Sequence, residues 1–476
     1  MMRKIIILLC CCFAILFVNA QEAVLISQDG IKKIRLMECL PFNTSPICND
    51  TYTAVIESDA QGQFHFLLTN KQPHEIRILQ PPGYSWSQEI FITAGDTVTF
   101  AVDSLSSRYY YHFTGKNAAH YNYGRLQLDQ FLPKNEPYFT IDMSFETYRE
   151  TVHAYVLKKE EFLNNYKAKY NLSPEFLNYI NSEIINGYAN KLFSVLIKNP
   201  ALVSKEEMNG YFSDTPVMKN ELSYSYKFAI SYKSVYRYTA QPGMTLDSIY
   251  QSILKSSYDE NDKAYLTAVL IGVYALKQDE SDKSSLRRII DKSASFVKDE
   301  KYREYIQRAN DYYNTANNPI PEYIMDSTYL IPYGSNTKIS LREMLSKYAG
   351  KPVFIDFWAS WCGPCIEDIQ SSQEAKNYLK DKGAEYVYIS LGAVAWKKDD
   401  QKAWLKISET EGITDNQYFL LNSELTKYFG INFIPRYIFL DSNHNVVNAN
   451  TARPSANNID NFKNDIGKFF RKVITY

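Results

Sequence analysis

The chain has 476 residues, with 52 Lys and Arg against 53 Asp and Glu and a formal net charge of -1. That balance leaves no basic excess for nucleic acid or an anionic membrane surface, and 45% hydrophobic against 22% charged residues is the make-up of an ordinary globular protein. The length sets a prior of about three domains.

Residues 1–20 join a short basic start (Arg3, Lys4) to an apolar run over 5–18 and a small-residue pattern, Val18-Asn19-Ala20. This predicts a secretory signal peptide and an exported chain of the periplasm or cell envelope beginning at Gln21. The run is well short of the roughly 20 residues that span a bilayer. Cys10, Cys11 and Cys12 lie early in it with no small residues before them, which argues against lipidation. An exported chain can keep disulfides. Cys39 and Cys48 flank a loop carrying Pro41 and Pro46 and are expected to close a structural disulfide, the alternative being two unrelated thiols.

Over 21–114, β-rich runs at 23–27, 32–37, 52–57, 64–69, 75–79, 89–93 and 97–102 alternate with turn signals such as Asp59-Ala60-Gln61-Gly62 and Ala94-Gly95-Asp96. Short strands at that spacing predict an antiparallel β-sandwich-like domain. Over 115–318 the apolar period lengthens to three or four. Helices are expected at 146–170, 174–198, 245–256, 262–276 and 284–316, giving a central all-α region. Ser173 before Pro174 is a helix start with an N-cap and a first-turn proline. No chemical motif occurs there, so that region is expected to act as a spacer or presenting surface. The 39 tyrosines are scattered along these elements and read as packing.

Asn317-Asn318-Pro319-Ile320-Pro321 reads as a linker into a last domain, 319–476. There a strand at 338–340 leads into a helix at 341–348 closed by Gly350. A buried strand at 353–357 and a helix to about 382 follow, then a strand at 385–391, a helix at 399–411, a strand at 417–421 and a helix at 423–429. A hairpin at 437–449 and a helix at 459–473 end the chain. This is a β-α-β half followed by a β-β-α half, an α/β domain.

Within it, Cys362-Gly363-Pro364-Cys365 stands between the strand and the helix, so Cys362 falls at a helix N-terminus. Unpaired N–H groups and the positive end of the helix dipole favour an anion there, which raises the thiolate fraction. No second Cys-x-x-Cys exists to complete a four-thiolate zinc site, and no metal is expected. Asp356 stands among apolar neighbours on the strand, where burial raises a carboxyl pKa.

From Lys351 to Cys365, with Asp356, Trp358, Trp361 and the Gly-Pro dipeptide, the segment resembles the active site of the thioredoxin superfamily. The material between 385 and 429 and the Arg453-Pro454-Ser455 run resemble its TlpA/ResA-like exported branch. Residues 21–114 resemble the β-domain of uncharacterised role that precedes such folds in many exported bacterial proteins. The resemblance implies a thioredoxin fold and a thiol-disulfide oxidoreductase of the reductase type. It implies no cofactor beyond a redox-active Cys362–Cys365 disulfide. Its partners would be disulfide-containing envelope proteins and a membrane thiol electron donor. It makes Cys362 the attacking thiolate at an exposed helix end, Cys365 the resolving thiol and Asp356 its proton exchanger. Pro435 becomes a cis-proline that presents Ile434 to substrate, while Trp361 and Trp358 shield the site, packing alone being the alternative for Trp358.

Two departures carry expectations of their own. Gln370 replaces the family's helix proline, which predicts a helix without its usual kink. Arg436 replaces the threonine after the proline, which predicts a charge beside the substrate groove. Two other functions compete. A thiol peroxidase of the same fold needs one peroxidatic cysteine in a different motif, and a non-enzymatic envelope binding protein would use the redox domain as a regulator.

Overall fold

The computed structural model describes residues 21–38, 53–68, 74–79, 87–103, 110–131, 136–140, 142–239, 243–277, 280–315, 318–392, 399–431 and 433–473. The expected signal peptide and the pair Cys39 and Cys48 lie outside the described residues. The described chain up to Lys233 packs as one unit and the chain from Ser234 as a second, so the helices expected over 115–318 are shared between the two.

The first unit opens with strands β1 (Gln21–Ser27), β2 (Lys33–Glu38), β3 (Thr53–Glu57), β4 (Gln63–Leu68), β5 (His74–Leu79), β6 (Ser87–Ile92), β7 (Thr97–Asp103) and β8 (Tyr110–Gly115). They form two four-stranded sheets, β4-β1-β7-β8 and β3-β2-β5-β6. Alternation puts Leu25, Phe64, Phe66, Val98, Phe100 and Phe113 of one sheet and Ile34, Ile90 and Ile92 of the other into a shared core. Two details correct the sequence reading. β1 and β7 run parallel, so the sandwich is not purely antiparallel. An eighth strand, β8, pairs with β7. The turn at Asp59 carries the chain from β3 in one sheet to β4 in the other. Asp59 Oδ1 accepts from the Gln61 and Gln63 amides at 2.9 and 2.8 Å, which shapes that corner.

Helices α1 (Ala118–Phe131), α2 (Phe145–Lys169), α3 (Pro174–Lys198), α4 (Lys205–Asp214) and α5 (Tyr224–Ser231) complete this unit. Ser173 caps α3 with Pro174 in its first turn, as the sequence predicts. A π turn over Tyr232–Tyr236 and a short α6 (Arg237–Thr239) follow α5.

The second unit continues with α7 (Leu246–Lys255), α8 (Glu260–Lys277), α9 (Lys283–Ser293) and α10 (Glu300–Thr315). The single helix expected over 284–316 is two, because Asp299 takes the Lys301 amide and restarts the helix. Gly272 of α8 lies against Tyr305 of α10, and an added Cβ would collide with that ring. Then come α11 (Glu322–Ser327), β9 (Tyr329–Pro332), β10 (Ile339–Ser340), α12 (Leu341–Ser346), β11 (Val353–Trp358), α13 (Gly363–Ser371), α14 (Gln373–Asp381), β12 (Glu385–Ser390), α15 (Gln401–Thr410), β13 (Gln417–Leu420), α16 (Glu424–Tyr428), β14 (Arg436–Leu440), β15 (Val446–Asn448) and α17 (Ile459–Val473).

Seven strands form one sheet, ordered β10-β9-β13-β12-β11-β14-β15. β11, β12 and β13 are mutually parallel and β14 joins β11 antiparallel. β9 was not anticipated; it pairs antiparallel with β13. The expected linker is stitched down, since Pro319 bridges to Asn445 and the Val446 amide donates to the Asn318 carbonyl at 3.0 Å.

Candidate active site

Every residue of β11 is buried, as a central strand covered on both faces requires. It delivers the chain to a turn, and Cys362 follows as the N-cap of α13, its Sγ accepting from the Cys365 amide at 3.3 Å. Pro364 sits in the first turn, where a missing N–H leaves no bond unmade. Cys362 and Cys365 are joined as a disulfide with Cα atoms 5.3 Å apart. Cys362 keeps 4% of its surface and Cys365 1%. The first cysteine is therefore far more covered than a bare helix end, because Trp361 and Ile434 pack around the cluster that holds both sulfurs.

Asp356 is 1% exposed. Burial lifts its carboxyl to about 7. The Tyr386 hydroxyl donates to Oδ2 at 2.8 Å and opposes that rise, while Asp368 adds to it and the Lys376 ammonium counters it. Burial in turn lowers Lys376, and Asp356 holds it up. Asp368, one turn beyond Cys365 on α13, is 2% exposed. It accepts from the Tyr437 hydroxyl at 2.6 Å and from Arg453 Nε at 2.7 Å. Arg453 Nη2 also reaches the Pro364 carbonyl at 3.3 Å, tying the segment after β15 to the dithiol turn.

The Ile434–Pro435 peptide is cis. Phe433 beside it is 40% exposed, and Ile434 packs against the cluster that holds the two sulfurs. Trp361 is half-buried at the rim, whereas Trp358 is fully buried with Nε1 on Gln417 Oε1 at 3.2 Å and serves as a core anchor. Asp399 holds the turn before Cys362: it accepts from the Ser360 amide at 2.9 Å and the Ser390 hydroxyl at 2.6 Å.

Both expectations drawn from the departures are corrected. The active-site helix does break, at Ser372 between α13 and α14, without a proline. The Ser371 and Ser372 hydroxyls donate back to the Glu367 and Ile369 carbonyls, both at 2.8 Å, a local competition that bends helices. Arg436 puts no charge beside the groove. It is 2% exposed, and its Nε donates to the Ala449 carbonyl at 3.0 Å.

Known proteins match the C-terminal part of the chain. A family model described as Redoxin matches residues 336–466. The thiol-disulfide oxidoreductase ResA of Geobacillus kaustophilus is 28% identical over 107 residues, 21% of this chain and 55% of that protein. ResA of Oceanobacillus iheyensis is 43% identical over 47 residues, 10% of this chain and 24% of its own. The C-terminal region is a TlpA/ResA-like member of the thioredoxin superfamily. The chain spans about half the length, 55%, of the first of these curated relatives. Among solved structures, a thiol:disulfide interchange protein from a Bacteroides species is 20% identical, covering 33% of this chain and 91% of that one with a TM-score of 0.25.

In this thioredoxin-like region, sequence reasoning singled out Cys362, Cys365, Asp356, Trp361, Ile434 and Pro435, and missed Tyr386, Lys376, Asp368 and Asp399. Tyr386 was findable, since alternation along β12 turns it and Tyr388 to one face, and Tyr388 pairs in register with Asp356. Asp368 was findable too, standing three residues after Cys365 on the same helix face. Asp399 had no local signal. No cluster of metal-ligating side chains occurs among the described residues.

Proposed function

We propose that the protein is an exported thiol-disulfide oxidoreductase that reduces disulfides in proteins of the cell envelope. The observation that carries this reading is the Cys362–Cys365 disulfide at the N-terminus of α13 above the buried Asp356. In the reduced enzyme the Cys362 thiolate attacks one sulfur of a substrate disulfide, forming a mixed disulfide and releasing one substrate thiolate. Cys365 then gives its proton to the Asp356 carboxylate and attacks Cys362 Sγ, which expels the second substrate thiolate and leaves the Cys362–Cys365 disulfide. A carboxyl near 7 is matched to that transfer at neutral pH. A cavity of about 560 Å³ is lined by Lys376 and Tyr386, the two groups that hold the Asp356 carboxyl down against burial. Ile434 and Pro435 supply backbone for an extended substrate segment, and Trp361 shields the sulfurs.

A dithiol donor must reduce the enzyme again, and for an exported protein a membrane thiol carrier fits that need. Export itself rests on residues 1–20. Among the described residues no helix is long and apolar enough to cross a membrane. The limits 1–20 and 21–114 stay with the proposal, whereas 115–318 is divided between two packed units at Lys233 and Ser234, the second of which also holds 319–476. The test is insulin reduction beside hydrogen-peroxide consumption, each driven by dithiothreitol. Insulin precipitation without peroxide turnover supports the reading; peroxide turnover without insulin reduction overturns it.

A further inference from the structure

Arg436 is a buried cation without a carboxylate among its described partners. Its Nε meets one neutral carbonyl, of Ala449, and its Nη2 has no hydrogen-bond partner among the described residues. The group that faces it is the ring of Tyr312, whose centroid lies 5.8 Å from the guanidinium carbon. An arginine removed from water is costly unless its charge is met, and the face of an aromatic ring meets it. Arg436 is also the residue directly after cis Pro435, and it pairs in register with Phe357, next to the end of the strand that feeds the dithiol turn. Its side chain lies on the face of β14 opposite Tyr437, which turns toward Asp368 and α13.

Tyr312 comes from α10, outside the matched region 336–466, and is itself 7% exposed. The chain leaving α10 is fixed to β15 through Asn318 and Pro319. The end of the helical segment is thus held to the redox sheet at two places, one of them immediately behind the cis-proline edge.

We infer that Tyr312 is a positioning residue for the edge formed by Ile434 and Pro435, acting through the buried guanidinium of Arg436. The helical segment then forms part of the redox site's support. This rests on the reading above only in calling that edge the substrate edge.

The test uses the full chain and three variants: Tyr312→Leu, which keeps an apolar side chain and removes the ring; Tyr312→Phe, which keeps the ring; and Arg436→Gln, which removes the cation. Hydrogen exchange over 433–438 should quicken by roughly tenfold in Tyr312→Leu and Arg436→Gln, with α13 unchanged and Tyr312→Phe like the parent. KM for insulin should rise several-fold in the first two at unchanged kcat, with Tyr312→Phe restoring it. Unchanged local exchange in a folded Tyr312→Leu, equal loss in Tyr312→Phe, or faster exchange spread evenly over the chain would overturn the inference. A parent that reduces no insulin sinks the reductase reading alone, and the exchange measurement still decides this one.

Discussion

The Tyr386 hydroxyl donates to Asp356 Oδ2 at 2.8 Å, while Asp356 Oδ1 has no hydrogen-bond partner among the described residues. A half-satisfied buried carboxyl is easier to hold neutral than charged, and it stands near 7 against an ordinary 3.8. A raised folded pKa means that the stability of the neutral form is complete below about 3.8 and is lost as pH climbs through about 7. Asp356→Asn should therefore be more stable than the parent. Its advantage should grow between these two values and level off above them, by up to about 4 kcal/mol. Urea unfolding at pH 4, 6 and 8 measures this. The same variant should turn over disulfides more slowly near neutral pH, since Cys365 loses its proton acceptor. An advantage that shrinks as pH rises would show that Asp356 is ionised and well paired.

Tyr386→Phe removes the bond that opposes the rise, so the Asp356 carboxyl should move further up. Single-turnover resolution of a preformed mixed disulfide on Cys362, followed against pH, should keep its shape and shift its midpoint to higher pH. A downward shift would mean that the hydroxyl stabilises the neutral acid.

Arg453 makes two contacts with the active-site helix, to Asp368 Oδ2 and to the Pro364 carbonyl. Its side chain is 47% exposed while Asp368 is nearly closed off at 3%. Arg453→Ala should cost about 1–2 kcal/mol, less than the roughly 3–5 kcal/mol of a fully buried pair, because water can reach the carboxylate once the arginine is gone. Denaturant unfolding at constant m-value gives the number. Arg453→Lys, which keeps the charge and loses the fork, should fall between.

The redox centre was legible because its chemistry is local in sequence. Cys362, Pro364 and Cys365 share one turn, and Asp356 lies six residues before the first of them. The strands and helices around them follow from simple periods; the last helix, over 459–473, was placed to the residue. What escaped depends on contacts between distant segments. Arg436 read as a groove charge because nothing in its neighbours announces a tyrosine 124 residues earlier. The helix break at Ser372 escaped because proline is the loud signal for a kink and two serines are a quiet one. Strand β9 ends in Pro332 and holds its place by pairing with β13, which no local pattern reports.

Cys39 and Cys48 carry a prediction from sequence alone. Non-reducing peptide mapping of the protein purified from an oxidising compartment should find them joined. Changing both to serine should lower stability by roughly 2–3 kcal/mol and leave reductase activity per folded molecule intact. Loss of activity at unchanged stability would place them on the electron path.

The division of labour between Cys362 and Cys365 is tested most directly by single-cysteine trapping. Each of Cys362→Ser and Cys365→Ser, in the full chain, is reduced, mixed with an oxidised envelope extract and resolved on a non-reducing gel. Cys365→Ser should accumulate partner proteins joined to Cys362, since the nucleophile remains and nothing releases it, and Cys362→Ser should accumulate none. Adducts on Cys362→Ser and not on Cys365→Ser would reverse the two roles and contradict the mechanism.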